Sequence, residues 1–427
     1  MITVISIIFI AGYAAIALEH PLKVNKAATA LITGVLCWTV FALFSDNEHA
    51  PAHQLTEYLG EVAGILFFLM GAMTIVELID AHDGFEVITS RIRTTNKRKL
   101  IWVIGLITFF LSAVLDNLTT TIVLVSLLRI IIPDKKDRLL FAGMVIISAN
   151  AGGAWSPIGD VTTTMLWIGG QITAGNIIIK TLLPSLVCFL VPAMIISRQL
   201  NGHIGQSVEP IKNKDFTTNS RERKTVFWLG LGSLLFVPVF KTITHLPPYM
   251  GVLLGLGVMW VITEMIHSGK DEAEKGLYSV NHALRKIDTP SILFFLGILL
   301  SIAALQVTGV LADLAVSMNN SIGNIKIITV LIGLLSAIVD NVPLVAAAQG
   351  MYSLEQFPTD HYFWEFLAYC AGTGGSILVI GSAAGVAAMG LEKIEFFWYM
   401  KKIGWLALLG YLAGAGVYLL QLYLFHS

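Results

Sequence analysis

Two short segments, Leu111-Ser-Ala-Val-Leu-Asp-Asn117 and Leu335-Ser-Ala-Ile-Val-Asp-Asn341, each place an aspartate and an asparagine in apolar surroundings. A carboxylate near the centre of a bilayer costs about 2.5–3.5 kcal/mol on insertion scales. A chain that places two there, Asp116 and Asp340, needs a compensating use for them. The neighbouring amides, Asn117 and Asn341, can donate to a carboxylate or offer an oxygen to a cation. A backbone that turns at these points also frees carbonyls, and hard cations such as sodium favour oxygen ligands, by analogy with the divalent ions. The plainer alternative is that Asp-Asn caps a returning helix; serine or threonine would cap without the burial cost, and the two roles can coexist. Thr119-Thr120-Thr121 after the first pair could add hydroxyl ligands, with Thr120 the chosen candidate, whereas Pro343 after the second pair suits a helix first turn.

Two further stretches, Ser148-Ala-Asn-Ala-Gly-Gly-Ala-Trp-Ser-Pro-Ile-Gly-Asp160 and Cys370-Ala-Gly-Thr-Gly-Gly-Ser-Ile-Leu-Val-Ile-Gly-Ser382, concentrate glycine with small polar side chains. Unwound backbone of this kind is tolerated in a membrane only where protein buries it or it lines a cavity. Asn150, Ser156, Thr373 and Ser376 are candidate oxygen ligands, while glycines for close helix packing explain the same composition. Asp160 stands before Val161-Thr-Thr-Thr164, where a half-helix should restart. It is a candidate for ion or proton handling and also a candidate N-cap, as is its counterpart Ser382. Glu77, followed by Asp80 and His82, ends an apolar run. Such a cluster is by default solvated at an interface; because histidine titrates near neutrality, proton entry or pH sensing is the functional alternative.

The elements that must position these residues are membrane helices. The 427 residues are 56% apolar and only 13% charged, with a mean hydropathy of +0.77, which excludes an ordinary soluble protein. Lys and Arg total 27 against 28 Asp and Glu, so nothing suggests a nucleic-acid partner. Cys37, Cys188 and Cys370 are far apart in apolar stretches, which points to neither a disulfide framework nor a thiolate metal site. The start of the chain lacks the basic region of a secretory signal and is expected to be a first membrane helix.

Apolar runs near 2–18, 27–45, 59–79, 178–197, 225–241, 248–268, 291–317 and 403–425 approach the roughly 20 residues that span a bilayer. Four others are interrupted: 101–132 at Asp116, 139–170 between Asn150 and Asp160, 325–350 at Asp340, and 362–390 between Gly372 and Ser382. The segments 19–26, 80–100, 133–138, 198–224, 269–290 and 391–402 hold 23 of the 27 basic residues and are expected on the cytoplasmic side. Because 101–132 joins two basic segments, it should enter the membrane and return. Its half Ile101–Leu115 covers roughly 22 Å at about 1.5 Å per residue, short of a hydrocarbon core of about 30 Å. By the same reasoning 325–350 is a hairpin from the other side, and the two tips should overlap near the midplane.

The two Asp-Asn segments recur at an offset of 224 residues, and Leu66-Phe-Phe-Leu69, Ala151-Gly-Gly153 and Gly159 find counterparts in the same order at Leu293-Phe-Phe-Leu296, Thr373-Gly-Gly375 and Gly381. The expected fold is an all-α integral membrane protein of two inverted repeats, 1–197 and 225–427, joined by a cytoplasmic linker at 198–224. Each repeat has five crossings, one re-entrant hairpin and helices interrupted at the midplane.

The stretch Gly71-Ala-Met-Thr-Ile-Val-Glu-Leu-Ile-Asp-Ala-His-Asp-Gly-Phe85, the tips Leu115-Asp-Asn-Leu-Thr-Thr120 and Val339-Asp-Asn-Val-Pro343, and the segment 148–164 resemble the NhaD-type sodium/proton antiporters of the ion transporter superfamily. The similarity runs over about 60–420. Asp-Asn tips also resemble those of arsenite-permease-like members. Dicarboxylate symporters of the superfamily typically have Ser-Asn-Thr there, and the aspartate argues against an anionic substrate. The resemblance implies a scaffold domain that dimerises and a mobile domain of hairpins and broken helices that moves like an elevator. It points to Asp116, Asn117, Asp340, Asn341 and Asp160, with Glu77 as a further functional acid.

The expected function is exchange of Na⁺ or Li⁺ for H⁺ without a cofactor. Asp116, Asn117, Asp340, Asn341, Asn150, Asp160, Thr120 and Ser376 are the candidate cation ligands, and Asp116, Asp340, Asp160 and Glu77 the proton-coupling groups. The expected setting is the cell (inner) membrane, as a homodimer with both termini outside. The alternatives are a proton-coupled exporter of arsenite or another neutral oxyacid and, more remotely, an intramembrane aspartyl hydrolase using two aspartates as acid and base.

Overall fold

The computed structural model describes residues 1–45, 49–90, 92, 94–204 and 218–425. Part of the expected linker 198–224 lies outside the described residues. Helices α1 (Ile2–Ala17), α2 (Lys26–Leu43) and α3 (Ala50–Ala81) precede α4 (Lys97–Leu115) and α5 (Asn117–Ile131), then α6 (Lys135–Gly153), α7 (Val161–Ile168) and α8 (Ala174–Gln199). The second half contains α9 (Ser220–Thr244), α10 (Pro248–Ile266), α11 (Thr289–Val307), α12 (Val310–Ile322), α13 (Ile325–Leu335), α14 (Asn341–Met351), α15 (Tyr362–Gly374), α16 (Ala383–Glu392) and α17 (Trp405–Phe425). Among the described residues, eight helical segments are long and apolar enough to cross a membrane, or nine if α12 and α13, bent by 113°, form one span. The chain is an all-helical, multi-pass membrane protein.

The breaks fall where the polar residues interrupt the apolar runs, but several boundaries differ from the sequence expectation. Helix α4 starts at Lys97, capped by Asn96, and its 19 residues reach roughly 28 Å at about 1.5 Å each. Length therefore does not make 101–132 re-entrant. Helix α13, with 11 residues, reaches only about 16 Å. The run 291–317 is two helices, because Gly309 at φ +79° turns the chain between α11 and α12. The last helix is entered from Phe396 through a π turn at Met400–Gly404, so it begins before residue 403.

Corresponding segments pack in corresponding ways. Helix α4 lies against α6 as α13 lies against α15, and α5 lies against α16 as α14 lies against α7. The Ser112 hydroxyl donates to the Ala149 carbonyl at 2.6 Å, and its counterpart Ser336 donates to the Ala371 carbonyl at 2.8 Å. At Gly152 and Gly374 the backbones touch: a Cβ there would overlap the carbonyl oxygens of Phe109 and Gly333. Glycine at these two positions is what lets each interrupted helix press onto the helix leading to an Asp-Asn pair.

Around this assembly α2 packs along α11, α8 along α17, and α10 against α9 and α3. Buried Glu392 accepts from Arg129 Nε and Arg138 Nε, both at 2.7 Å, and so ties α16 to α5 and α6. Pairing of this kind is what makes a buried carboxylate tolerable, and it accounts for Arg129 in an otherwise apolar run.

Candidate functional site

Helices α5, α7, α14 and α16 begin at Asp116, Asp160, Asp340 and Ser382, and each residue caps its helix with its own side chain. The cap bonds come from Thr119 N at 2.8 Å, Thr162 N at 3.0 Å, Val342 N at 3.4 Å and Gly385 N at 3.1 Å. A helix N-terminus carries roughly half a positive charge, so a group of them suits an anion. Here three of the four caps are carboxylates. The protein supplies the anions itself, and a further ligand meets oxygen atoms and negative charge.

Asp160 is the hub. It is 2% exposed and accepts from Asn117 Nδ2 at 2.9 Å, Asn341 Nδ2 at 3.2 Å and the Thr162 hydroxyl at 3.1 Å. Asn117 Nδ2 also donates to Asn150 Oδ1 at 3.0 Å, and Asn150 Nδ2 donates to the Ser376 and Ser382 hydroxyls, both at 2.9 Å. One polar chain thus joins both Asp-Asn segments and both interrupted helices. Each asparagine serves Asp160 rather than the aspartate beside it in sequence.

Asp116 and Asp340 turn elsewhere. Asp116 accepts from the Thr119 hydroxyl at 2.9 Å and holds φ +77°, ψ +161°, a region open essentially to glycine alone and costing on the order of 1–3 kcal/mol. The N–H and hydroxyl of Thr119, both donating to its carboxylate, help to hold it there. Asp340 Oδ2 lies 3.4 Å from Lys26 Nζ, which also sits 4.4 Å from the centre of the Phe294 ring. Along the sequence Lys26 is only one of the basic residues that mark one face; no local signal ties it to a residue 314 positions away.

Among the other candidates, the Thr120 hydroxyl is buried and finds no hydrogen-bond partner among the described residues. An orphaned hydroxyl one turn from Asp116 is what a site for a cation or water would leave. Thr373 donates to the Tyr369 carbonyl at 2.6 Å, and Ser156 accepts from Ile158 N at 3.4 Å, so both are used locally. Asp116 and Asp160 line one small cavity of about 20 Å³, room for a single water-sized species.

A larger cavity of about 630 Å³ reaches Thr119 from the helix ends that hold Lys26, Asp80 and Lys286. Its wall carries Glu19, Glu77, Asp80, Asp83, Glu86 and Asp288 against two lysines. Glu77 pairs there with Lys286 at 3.3 Å.

His82 leaves this acidic group and, 0% exposed, meets His267 with Nε2 to Nε2 at 2.8 Å; Tyr278 stacks 4.9 Å from the His267 ring. Burial pushes both imidazoles down, His267 to about 4. Both stay neutral near pH 7, so one ring donates and the other accepts. Because the folded state resists protonation that the unfolded chain accepts near its ordinary pKa of about 6.5, stability is complete above that value and falls as the pH drops toward 4. Melting temperatures at pH 7.5 and 5.0 should differ less for His82→Gln/His267→Gln than for the wild type.

The chain is similar in sequence to several known proteins. A family model described as citrate transporter matches residues 13–365. Sodium/proton antiporter 1 of Arabidopsis thaliana is 49% identical over 97% of this chain and 71% of its own length. Sodium/proton antiporter 2 of the same plant is 47% identical over 97% of this chain and 98% of its own length. The Na⁺/H⁺ antiporter NhaD of Alkalimonas amylolytica is 27% identical over 98% of this chain and 90% of its own length. With near full-length similarity and the acid-capped helix ends on the same polypeptide, the chain belongs to the NhaD-type sodium/proton antiporter family, whose members are secondary transporters and not enzymes.

Proposed function

We propose that the chain exchanges Na⁺ or Li⁺ for H⁺ by alternating access. The observation that carries this reading is Asp160, a buried carboxylate held by amides from both Asp-Asn segments where carboxylate-capped helices meet. Rotation of Asn117 or Asn341 about its amide turns a donor into an oxygen ligand, so a cation can take the place of the N–H groups on Asp160. Asp116, Thr120, Asn150 and Ser376 supply further oxygens. A carboxylate that holds a proton binds a cation poorly, and the reverse, so the two ions displace each other without a second energy source. The acid-lined cavity concentrates cations on the side of the basic connections, with Glu77 a proton donor or acceptor on its wall.

In this reading 1–197 and 225–427 are inverted repeats, and the hairpins 101–132 and 325–350 are re-entrant. They move with the broken helices, elevator-like, against a dimeric scaffold. The protein sits in the cell membrane with both termini outside. The description of the matching family model as citrate transporter favours an anionic cargo instead; the aspartates at three helix ends oppose it, because each cancels the positive end that would hold a carboxylate ligand. Everted vesicles with an acid interior separate these readings. Na⁺ or Li⁺ should collapse the proton gradient, whereas K⁺, citrate and arsenite should not. Collapse by citrate or arsenite alone would replace the sodium assignment.

A further inference from the structure

The two Asp-Asn segments differ in how their carboxylates are compensated. Three residues after Asp116 stands Thr119, whose N–H and hydroxyl both donate to it. The corresponding residue after Asp340 is Pro343, which has neither group. Asp340 keeps one long bond from Val342 N at 3.4 Å and receives in addition the ammonium of Lys26 at 3.4 Å. The two side chains are 25% and 17% exposed, dry enough for the pair to matter and wet enough for it to open.

Lys26 lies on a different helix from Asp340. It is the first residue of α2, whose start is fixed by the Asn25 side chain on Ala27 N at 2.8 Å and by Lys26 N on Glu19 Oε1 at 3.2 Å. Helix α2 is pressed onto α11, where a Cβ on Gly297 would overlap the backbone of Ala30. Only the flexible four-carbon stem carries the ammonium across to the tip. On its own side the ammonium already lies over the Phe294 ring of α11 while it holds Asp340, and Glu19, which lines the same cavity, offers it another carboxylate.

We propose that Lys26 is a tethered competitor of the transported cation, occupying Asp340 when no ion is loaded and withdrawing toward Glu19 when one arrives. This deepens the exchange reading and rests on it. The lysine makes loading at Asp340 a replacement of one cation by another rather than an addition of charge. It lowers apparent affinity, so the ion is also released readily.

The test uses the full chain reconstituted in liposomes, with proton flux recorded against Na⁺ concentration. Lys26→Met keeps the stem and removes the charge; it should lower KM for Na⁺ about three- to tenfold, the range expected for a half-buried pair, while Lys26→Arg stays near the wild-type KM. Pro343→Thr gives Asp340 the hydroxyl that Thr119 gives Asp116 and should shift KM in the same direction. Elution as a single species shows that each variant folds. An unchanged or raised KM in Lys26→Met and Pro343→Thr, whatever happens to the maximal rate, would reduce Lys26 to an anchor and overturn the proposal. No Na⁺-driven flux in the wild type would remove the exchange reading itself, and this inference with it.

Discussion

Asp160→Asn should abolish exchange, by about a hundredfold or more, corresponding to about 3 kcal/mol or more, the scale of removing one partner from a buried charged group. The substitution is isosteric, and asparagine caps a helix as well as aspartate does, so α7 keeps its start. What changes is charge and polarity at the hub. An amide nitrogen at this position faces the N–H groups of Asn117 and Asn341, which now donate to Asp160 at 2.9 and 3.2 Å. Proton and cation alike lose the carboxylate over which they compete. Flux normalised to membrane protein content measures the effect, and Asp160→Glu, which retains the charge in a longer side chain, should recover part of it. Full exchange by Asp160→Asn would leave Asp160 as a cap and nothing more.

Gly374→Ala should prevent accumulation of folded protein. The added Cβ would overlap the Gly333 carbonyl, and the obstacle is backbone rather than the tip of a side chain, so α13 and α15 must separate. Overpacking of this kind costs about 1–3 kcal/mol and sometimes more, and here it acts on the helix leading to Asp340 and on the one leading to the Ser376–Ser382 break. Gly152→Ala should do the same to the other half, through Phe109. Gly416→Ala in α17 is the contrast: nothing lies within 4 Å of its added Cβ, and alanine favours a helix by up to about 1 kcal/mol over glycine. Thermal stability in detergent, followed by size-exclusion elution, should rank Gly416→Ala at or above the wild type and both other variants far below it. Equal stability of all three would mean that the close approaches are slack.

Part of this architecture is legible along the chain. The breaks at Asp116, Asp160, Asp340 and Ser382 were legible because a polar side chain that caps the next helix leaves a local mark within an apolar run, and all four residues do cap. The matched glycines at 152 and 374 were legible as a repeated pattern, and the backbone approaches explain them. Helix ends were less so. The start of α4 at Lys97 lies in a basic stretch that hydropathy assigns to a connection, yet Asn96 caps it and the helix simply continues outward. The split at Gly309 hides inside a run whose apolar character never lapses.

The site itself divides along the same line. Sequence alone determined that this is a membrane protein, which residues interrupt its helices, and that aspartate and asparagine stand together at two of the interruptions, because hydropathy and capping depend on neighbours in the chain. Tertiary structure decided that Asp160, and neither Asp116 nor Asp340, is where the two segments meet; that Asn150 reaches from the first half to Ser376 and Ser382 in the second; and that Lys26 answers Asp340 across 314 residues. Those partnerships follow from how helices pack. A hydrogen bond or ion pair is set by a distance of about 3 Å between atoms, and separation along the sequence carries no information about it.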